Sequence, residues 1–120
     1  MTATREKELL ASVPDKLFIA GNWVDATGGG TLDVHDPATG KVIRTIADAT
    51  PDDAKKAMDA AADTQASWAA VPARERSNIL RRAFDLLTER ADDFALLMTI
   101  EMGKPLAESM GEVKYGAEFL

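Results

Sequence analysis

At 120 residues, with 46% hydrophobic and 28% charged residues, the chain has the balance of a single globular domain at most, and disorder is not expected. The 20 acidic and 14 basic residues leave a net charge of −6, which excludes the electropositive footprint of a nucleic-acid binder or a basic membrane-surface helix. There is no cysteine, so disulfides, thiolate metal sites and a thiol nucleophile are absent from these residues.

The first residues, MTATREKELLASVPDK, carry charges throughout and no apolar run of signal-peptide length. Nowhere is there a stretch long enough to cross a bilayer, and the expected location is the cytoplasm. Leu17-Phe18-Ile19-Ala20 and Trp23-Val24 flank Gly21-Asn22, a two-residue turn whose glycine suits the first position of a type II′ hairpin. A second pair of strands follows, residues 31–35 and 41–47, around the turn cluster Asp36-Pro37-Ala38-Thr39-Gly40. Gly28-Gly29-Gly30 precedes a strand and not a helix, so it reads as a flexible turn and lacks the spacing of a dinucleotide fingerprint.

At Thr50-Pro51-Asp52-Asp53 the pattern changes. Thr50 is the expected N-cap, Pro51 the first helical residue, and two carboxylates face the positive end of the helix dipole. Ala54, Ala57, Met58, Ala61 and Trp68 repeat at helical spacing, and Pro72 closes the segment. From Ala73 a second helix carries Leu80, Ala83, Phe84, Leu87, Ala91, Phe94, Ala95 and Met98 on one face, widened by Leu86, Leu97 and Ile100. Unbroken over 73–102 it would be roughly 45 Å long, against about 35 Å for the diameter of a compact 120-residue globule. That length, and an apolar face wider than the other segments can cover, lead to the expectation that the chain is truncated. A third helix is expected from Pro105, with Leu106, Met110, Val113, Ala117 and Leu120 in step.

Between the last two helices stands Glu101-Met102-Gly103-Lys104-Pro105. A Gly-Lys pair opening a helix suggests a phosphate-binding loop, but Met98 stands where the other glycine belongs and Pro105 where a hydroxyl should reach magnesium. The pair therefore reads as punctuation: Gly103 in the left-handed conformation that ends a helix, and Pro105 starting the next.

Other side chains that could carry chemistry lack partners in the sequence. His35 beside its turn reads as a solvated side chain, and no triad with Ser12, Ser67, Ser77 or Ser109 is implied. Glu89, Asp92 and Asp93 read as the solvated face of a helix.

In order and spacing, Leu17-Phe18-Ile19-Ala20-Gly21-Asn22-Trp23, then Asp36-Pro37-Ala38-Thr39-Gly40-Lys41-Val42-Ile43, then Trp68, Pro72, Glu75-Arg76, Ile79-Leu80, and last Glu101-Met102-Gly103-Lys104-Pro105, resemble the N-terminus of an NAD(P)-dependent aldehyde dehydrogenase. The run from Leu97 to Glu108 is most similar to succinate-semialdehyde dehydrogenases. His35-Asp36-Pro37 departs from the family's more usual Asn before the proline, but Asp can close the same turn through its side chain. Residues 1–16 contribute nothing to the resemblance.

The resemblance implies an α/β parent protein with a Rossmann-like nucleotide-binding domain. Of this the chain would hold two short β-hairpins and three α-helices: residues 1–16 as an N-terminal extension and 17–120 as the opening portion of the domain. It implies NAD or NADP as cofactor, a small aldehyde as substrate, a homodimer or homotetramer, and neither nucleic acid nor membrane as partner. In the family a cysteine thiolate attacks the aldehyde, a backbone amide and an asparagine hold the oxyanion, and a glutamate activates water. No catalytic, cofactor-binding or metal residue is expected within this chain. Some members hold a structural cation with backbone oxygens and a carboxylate, which would fall on Val34, His35 and Glu101. The alternative reading is a free-standing helical interaction module that uses the apolar face of residues 79–100 to bind a partner helix.

Overall fold

The computed structural model describes residues 3–120; Met1 and Thr2 of the expected N-terminal extension lie outside the described residues. The elements run α1 (Ala3–Ser12), β1 (Leu17–Ile19), β2 (Asn22–Val24), a 3-10 turn (Thr27–Gly29), β3 (Thr31–His35), β4 (Val42–Ala47), α2 (Pro51–Ala70), α3 (Ala73–Glu89), α4 (Ala91–Met102) and α5 (Leu106–Ala117). Two antiparallel hairpins followed by helices are as expected, but the described residues form five α-helices and not three, one of them ahead of the hairpins.

In the first hairpin Ile19 pairs with Asn22, which leaves Ala20 and Gly21 as the turn. Both have positive φ, 52° and 80°, the signature of type I′. The expected type II′ turn on Gly21-Asn22 is thus shifted by one residue. Asn22 belongs to β2 and its side-chain amide donates to the Ala20 carbonyl at 3.0 Å, and glycine is needed at the second turn position. Phe18 and Trp23 face each other across the strands with ring centroids 5.0 Å apart. In the second hairpin β3 and β4 pair from Thr31↔Ala47 to His35↔Val42, with a register shift between Val34 and His35.

Residues 3–12, which carry no element in the sequence reading, form a helix. Leu9 is buried where α1 meets α4. The guanidinium of Arg44, on β4, donates to the carbonyls of Leu10 and, at 2.6 Å, of Val13. A cation thus bonds carbonyls at and just beyond the end of α1, where the Leu10 carbonyl otherwise accepts only a 3.4 Å bond from the Val13 amide. The amide of Ala47 adds a 2.8 Å bond to the carbonyl of Asp15, so the segment after α1 lies along β4.

The continuous helix expected over 73–102 is interrupted at Arg90, whose φ −102° and ψ 18° end α3 and begin α4. Its carbonyl accepts from the amides of both Asp93 and Phe94. Asp92 and Asp93 sit in the first turn of α4, where carboxylates are favoured by the positive helix end. Glu89 and Asp92 are exposed, as a solvated face requires, and Asp92 and Asp93 in addition mark a helix start. With the break neither helix outruns a compact globule of this length, and the face over 79–100 that an interaction module would use is divided between α3 and α4. The exposed apolar side chains remain: Ile79, Leu80, Leu86 and Phe94 are all exposed.

Thr50 caps α2 as expected and Pro51 is its first residue. Pro105, expected as the first residue of the last helix, is instead its N-cap, with φ −55° and ψ 139°, and Leu106 opens α5. The core lies between α4 and α5, around Ala95, Leu96, Ser109, Val113 and Ala117. The whole is thin, extending 48 × 37 × 19 Å, with a radius of gyration of 17.0 Å against about 14 Å for a compact chain of this length.

Replacing Arg44 by Met should free the last carbonyls of α1. Amide exchange at residues 3–12 is expected to accelerate by an amount equivalent to about 1–3 kcal/mol, with exchange in α4 and α5 changed much less. Equal acceleration throughout would show that Arg44 does not act locally on α1.

Candidate functional site

The residues that mark the sequence as distinctive are mostly committed to holding the fold. Asp36 closes its turn through its side chain. Its carboxylate accepts from the Thr39 hydroxyl at 2.6 Å and the Ala38 amide at 2.8 Å, and these bonds hold its pKa below the usual carboxylate value. Gly40, with φ 70°, lets its amide reach the Asp36 carbonyl at 2.7 Å. The guanidinium of Arg76 turns back to the carbonyls of Ala69 and Val71 at 3.1 and 2.7 Å, and so caps α2 from the first turns of α3.

At the Gly-Lys junction, Gly103 has φ 76° and its amide donates to the Thr99 carbonyl, the left-handed helix end that the sequence suggests. A second constraint was not visible there: a Cβ on Gly103 would lie 3.0 Å from Cγ of Pro37. The Asp-Pro turn and the Gly-Lys junction, 66 residues apart in the chain, are in contact. Lys104 is paired with Glu112 of α5, so its charge is spent within the fold. Just inside the junction Thr99 and Ser109 share a hydrogen bond of 3.0 Å between hydroxyls, which satisfies the fully buried Ser109.

The most elaborate polar cluster is centred on Asp53, which is 3% exposed. Its Oδ1 accepts from the Thr27 hydroxyl at 2.5 Å. Its Oδ2 accepts from the Thr27 amide at 2.9 Å, the Thr50 amide at 3.0 Å and the Thr50 hydroxyl at 2.8 Å. In return the Asp53 amide donates to Thr50 Oγ1 at 3.3 Å, which completes a capping box. Lys56 approaches Oδ1 at 3.6 Å and donates to Thr27 Oγ1 at 2.9 Å. The Thr27 hydroxyl, foremost among these donors, drives the Asp53 pKa far below the usual carboxylate value. An anion so fully bonded is a poor base, and the cluster is a joint between the 3-10 turn and α2. Gly28, with φ 82°, shapes the turn that presents Thr27. The sequence reading placed Asp53 in the first helical turn; its partner 26 residues earlier left no local signal.

The remaining candidates do not converge. His35 is exposed, with Nδ1 3.3 Å from the Gly40 carbonyl. Ser12 and Ser67 donate to carbonyls of their own helices at 2.7 and 2.8 Å. Asp93 forms a 3.5 Å ion pair with Arg5. Among the described residues there is no group of three or more His, Cys, Asp or Glu side chains arranged to hold a metal. Two of the clefts among the described residues have mainly apolar linings. An open groove of about 710 Å3 separates Phe18 to Ala20 from the alanine face of α2, and one of about 320 Å3 lies where Leu9 and Val13 meet Phe94 and Leu97. The second is also lined by Ser12 and Asp93, but the Ser12 hydroxyl is bonded to the Leu9 carbonyl and the Asp93 carboxylate is paired with Arg5.

Residues 23–120 match the model of the aldehyde dehydrogenase family. The chain belongs to this family. It is 48% identical over 103 residues to a glutarate-semialdehyde dehydrogenase of Pseudomonas aeruginosa, covering 86% of this chain and 21% of that one. It is 62% identical over 79 residues to a succinate-semialdehyde dehydrogenase of Paenarthrobacter nicotinovorans, covering 66% of this chain and 18% of that one. A crystal structure of an aldehyde dehydrogenase from Brucella melitensis biovar abortus superimposes with a TM-score of 0.88 at 44% identity, over 99% of this chain and 24% of the other. The hairpins and helices are thus a portion of the α/β aldehyde dehydrogenase fold, and the chain spans about a fifth of the length of its curated relatives.

Two outcomes are expected from this arrangement. Gly103→Ala should destabilise the protein by about 1–2 kcal/mol for the left-handed backbone alone, plus the cost of displacing Pro37. Denaturant midpoints measured with and without Pro37→Ala separate the two, since the glycine substitution should cost less in the Pro37→Ala background. An equal cost in both would rule out the contact as a constraint. Because folding lowers the pKa of Asp53, its contribution to stability is full above the unfolded value of about 3.9 and is lost as pH falls below it. Asp53→Asn should lower stability at pH 7 and flatten the fall in unfolding midpoint below about pH 4. An unchanged acid slope would show that Asp53 is not the group responsible.

Proposed function

We propose that the chain is the opening segment of a dehydrogenase that oxidises succinate semialdehyde to the dicarboxylic acid with NAD or NADP, its catalytic residues lying outside these 120 residues. The observation that carries this reading is the run from Leu97 to Glu108, together with the 62% identity to a succinate-semialdehyde dehydrogenase over 79 residues. The glutarate-semialdehyde relative acts, by its name, on the homologue one methylene longer, so the substrate class is a short aldehyde bearing a distal carboxylate.

The division of labour in this reading follows from the residues. No cysteine is present to attack the aldehyde carbon, so the nucleophile, with the oxyanion asparagine and the glutamate base, is assigned to other segments of the parent. The present segment contributes packing: α4, α5 and their junction form an outer layer against which a nucleotide-binding sheet is placed. Residues 1–16 are an extension to that domain and 17–120 its first portion. We assign no catalytic, cofactor or metal role to any residue here. The parent is a cytoplasmic homodimer or homotetramer in this reading. Among the described residues no helix is long and apolar enough to cross a membrane.

The full-length parent, assayed against succinate semialdehyde, glutarate semialdehyde and an aromatic aldehyde with each cofactor, should show its highest kcat/KM with succinate semialdehyde. One methylene is worth about 10–200-fold in an apolar pocket, so the two semialdehydes should be separable. A higher value for the aromatic aldehyde would overturn the substrate assignment and leave family membership intact. The 120-residue chain alone should neither oxidise aldehydes nor bind NAD or NADP, and micromolar binding of either by calorimetry would refute the assignment of the cofactor site to other segments.

A further inference from the structure

We draw no further inference here: the strongest candidate, the open groove of about 710 Å3 between β1 and the alanine face of α2, with Phe18, Ala57, Ala61 and Trp68 along it, is an apolar face for which nothing in the structure shows what covers it.

Discussion

The reversal of the chain at Gly103 places α5 against α4, and the buried residues of the helical half depend on it. Leu96 and Ala95 of α4 meet Val113 and Ala117 of α5 only because the backbone turns at one left-handed residue. The Thr99–Ser109 bond then satisfies the polar pair enclosed by that turn. The same residue has a separate reason to lack a side chain, since a Cβ there would press on the Pro37 ring at 3.0 Å. One glycine therefore both turns the chain between two helices and lets their junction approach the Asp-Pro turn between β3 and β4. Backbone conformation and close packing impose the same residue independently.

Features governed by local backbone chemistry were legible in the sequence. Thr50-Pro51 announces a helix start because a hydroxyl and a missing amide suit that position in any context. Gly103 announces a helix end for a similar reason, and the alternation in residues 42–47 shows its strand. What escaped depends on contacts between distant segments. Helix α1 is held by Leu9 against α4 and by Arg44 on its last carbonyls, and a short charged helix has too little apolar periodicity to declare itself. The break at Arg90 escaped because the three- and four-residue steps continue through it, from Leu87 to Ala91 and Phe94, so periodicity alone favours one helix. Leu96, among the most buried side chains, stands outside the expected face, while Ala95, which belongs to it, is buried beside Leu96; after the break the stripe that α4 turns towards α5 is widened to take in both. Ser109 is buried because Thr99 supplies its partner, a pairing no composition rule anticipates.

For the candidate site the legible part was identity and not mechanism. Asp36, Gly40, Arg76 and Gly103 belong to the runs that resemble the aldehyde dehydrogenases, and each closes a turn or caps a helix. Residues whose side chains or backbone angles are fixed by geometry tolerate few replacements, which makes them good markers of a fold while they do no chemistry. Lys104 illustrates the risk in the opposite direction: a Gly-Lys pair before a helix invites a phosphate, yet its ammonium is spent on Glu112. Asp53 was legible as a helix-start carboxylate, but its tie to Thr27 depends on the path of the intervening hairpin.

The 19 Å thickness of the molecule has a dielectric consequence. A helix with its side chains is about 10–12 Å across, so the chain is at most two elements deep and every buried atom is within one layer of water. Charge developing on a substrate oxygen in such a sheet-like body would be screened by solvent on both sides. The fixed dipoles that stabilise an oxyanion act strongly only where water is kept out. A slab of these proportions suits the wall of a dry chamber.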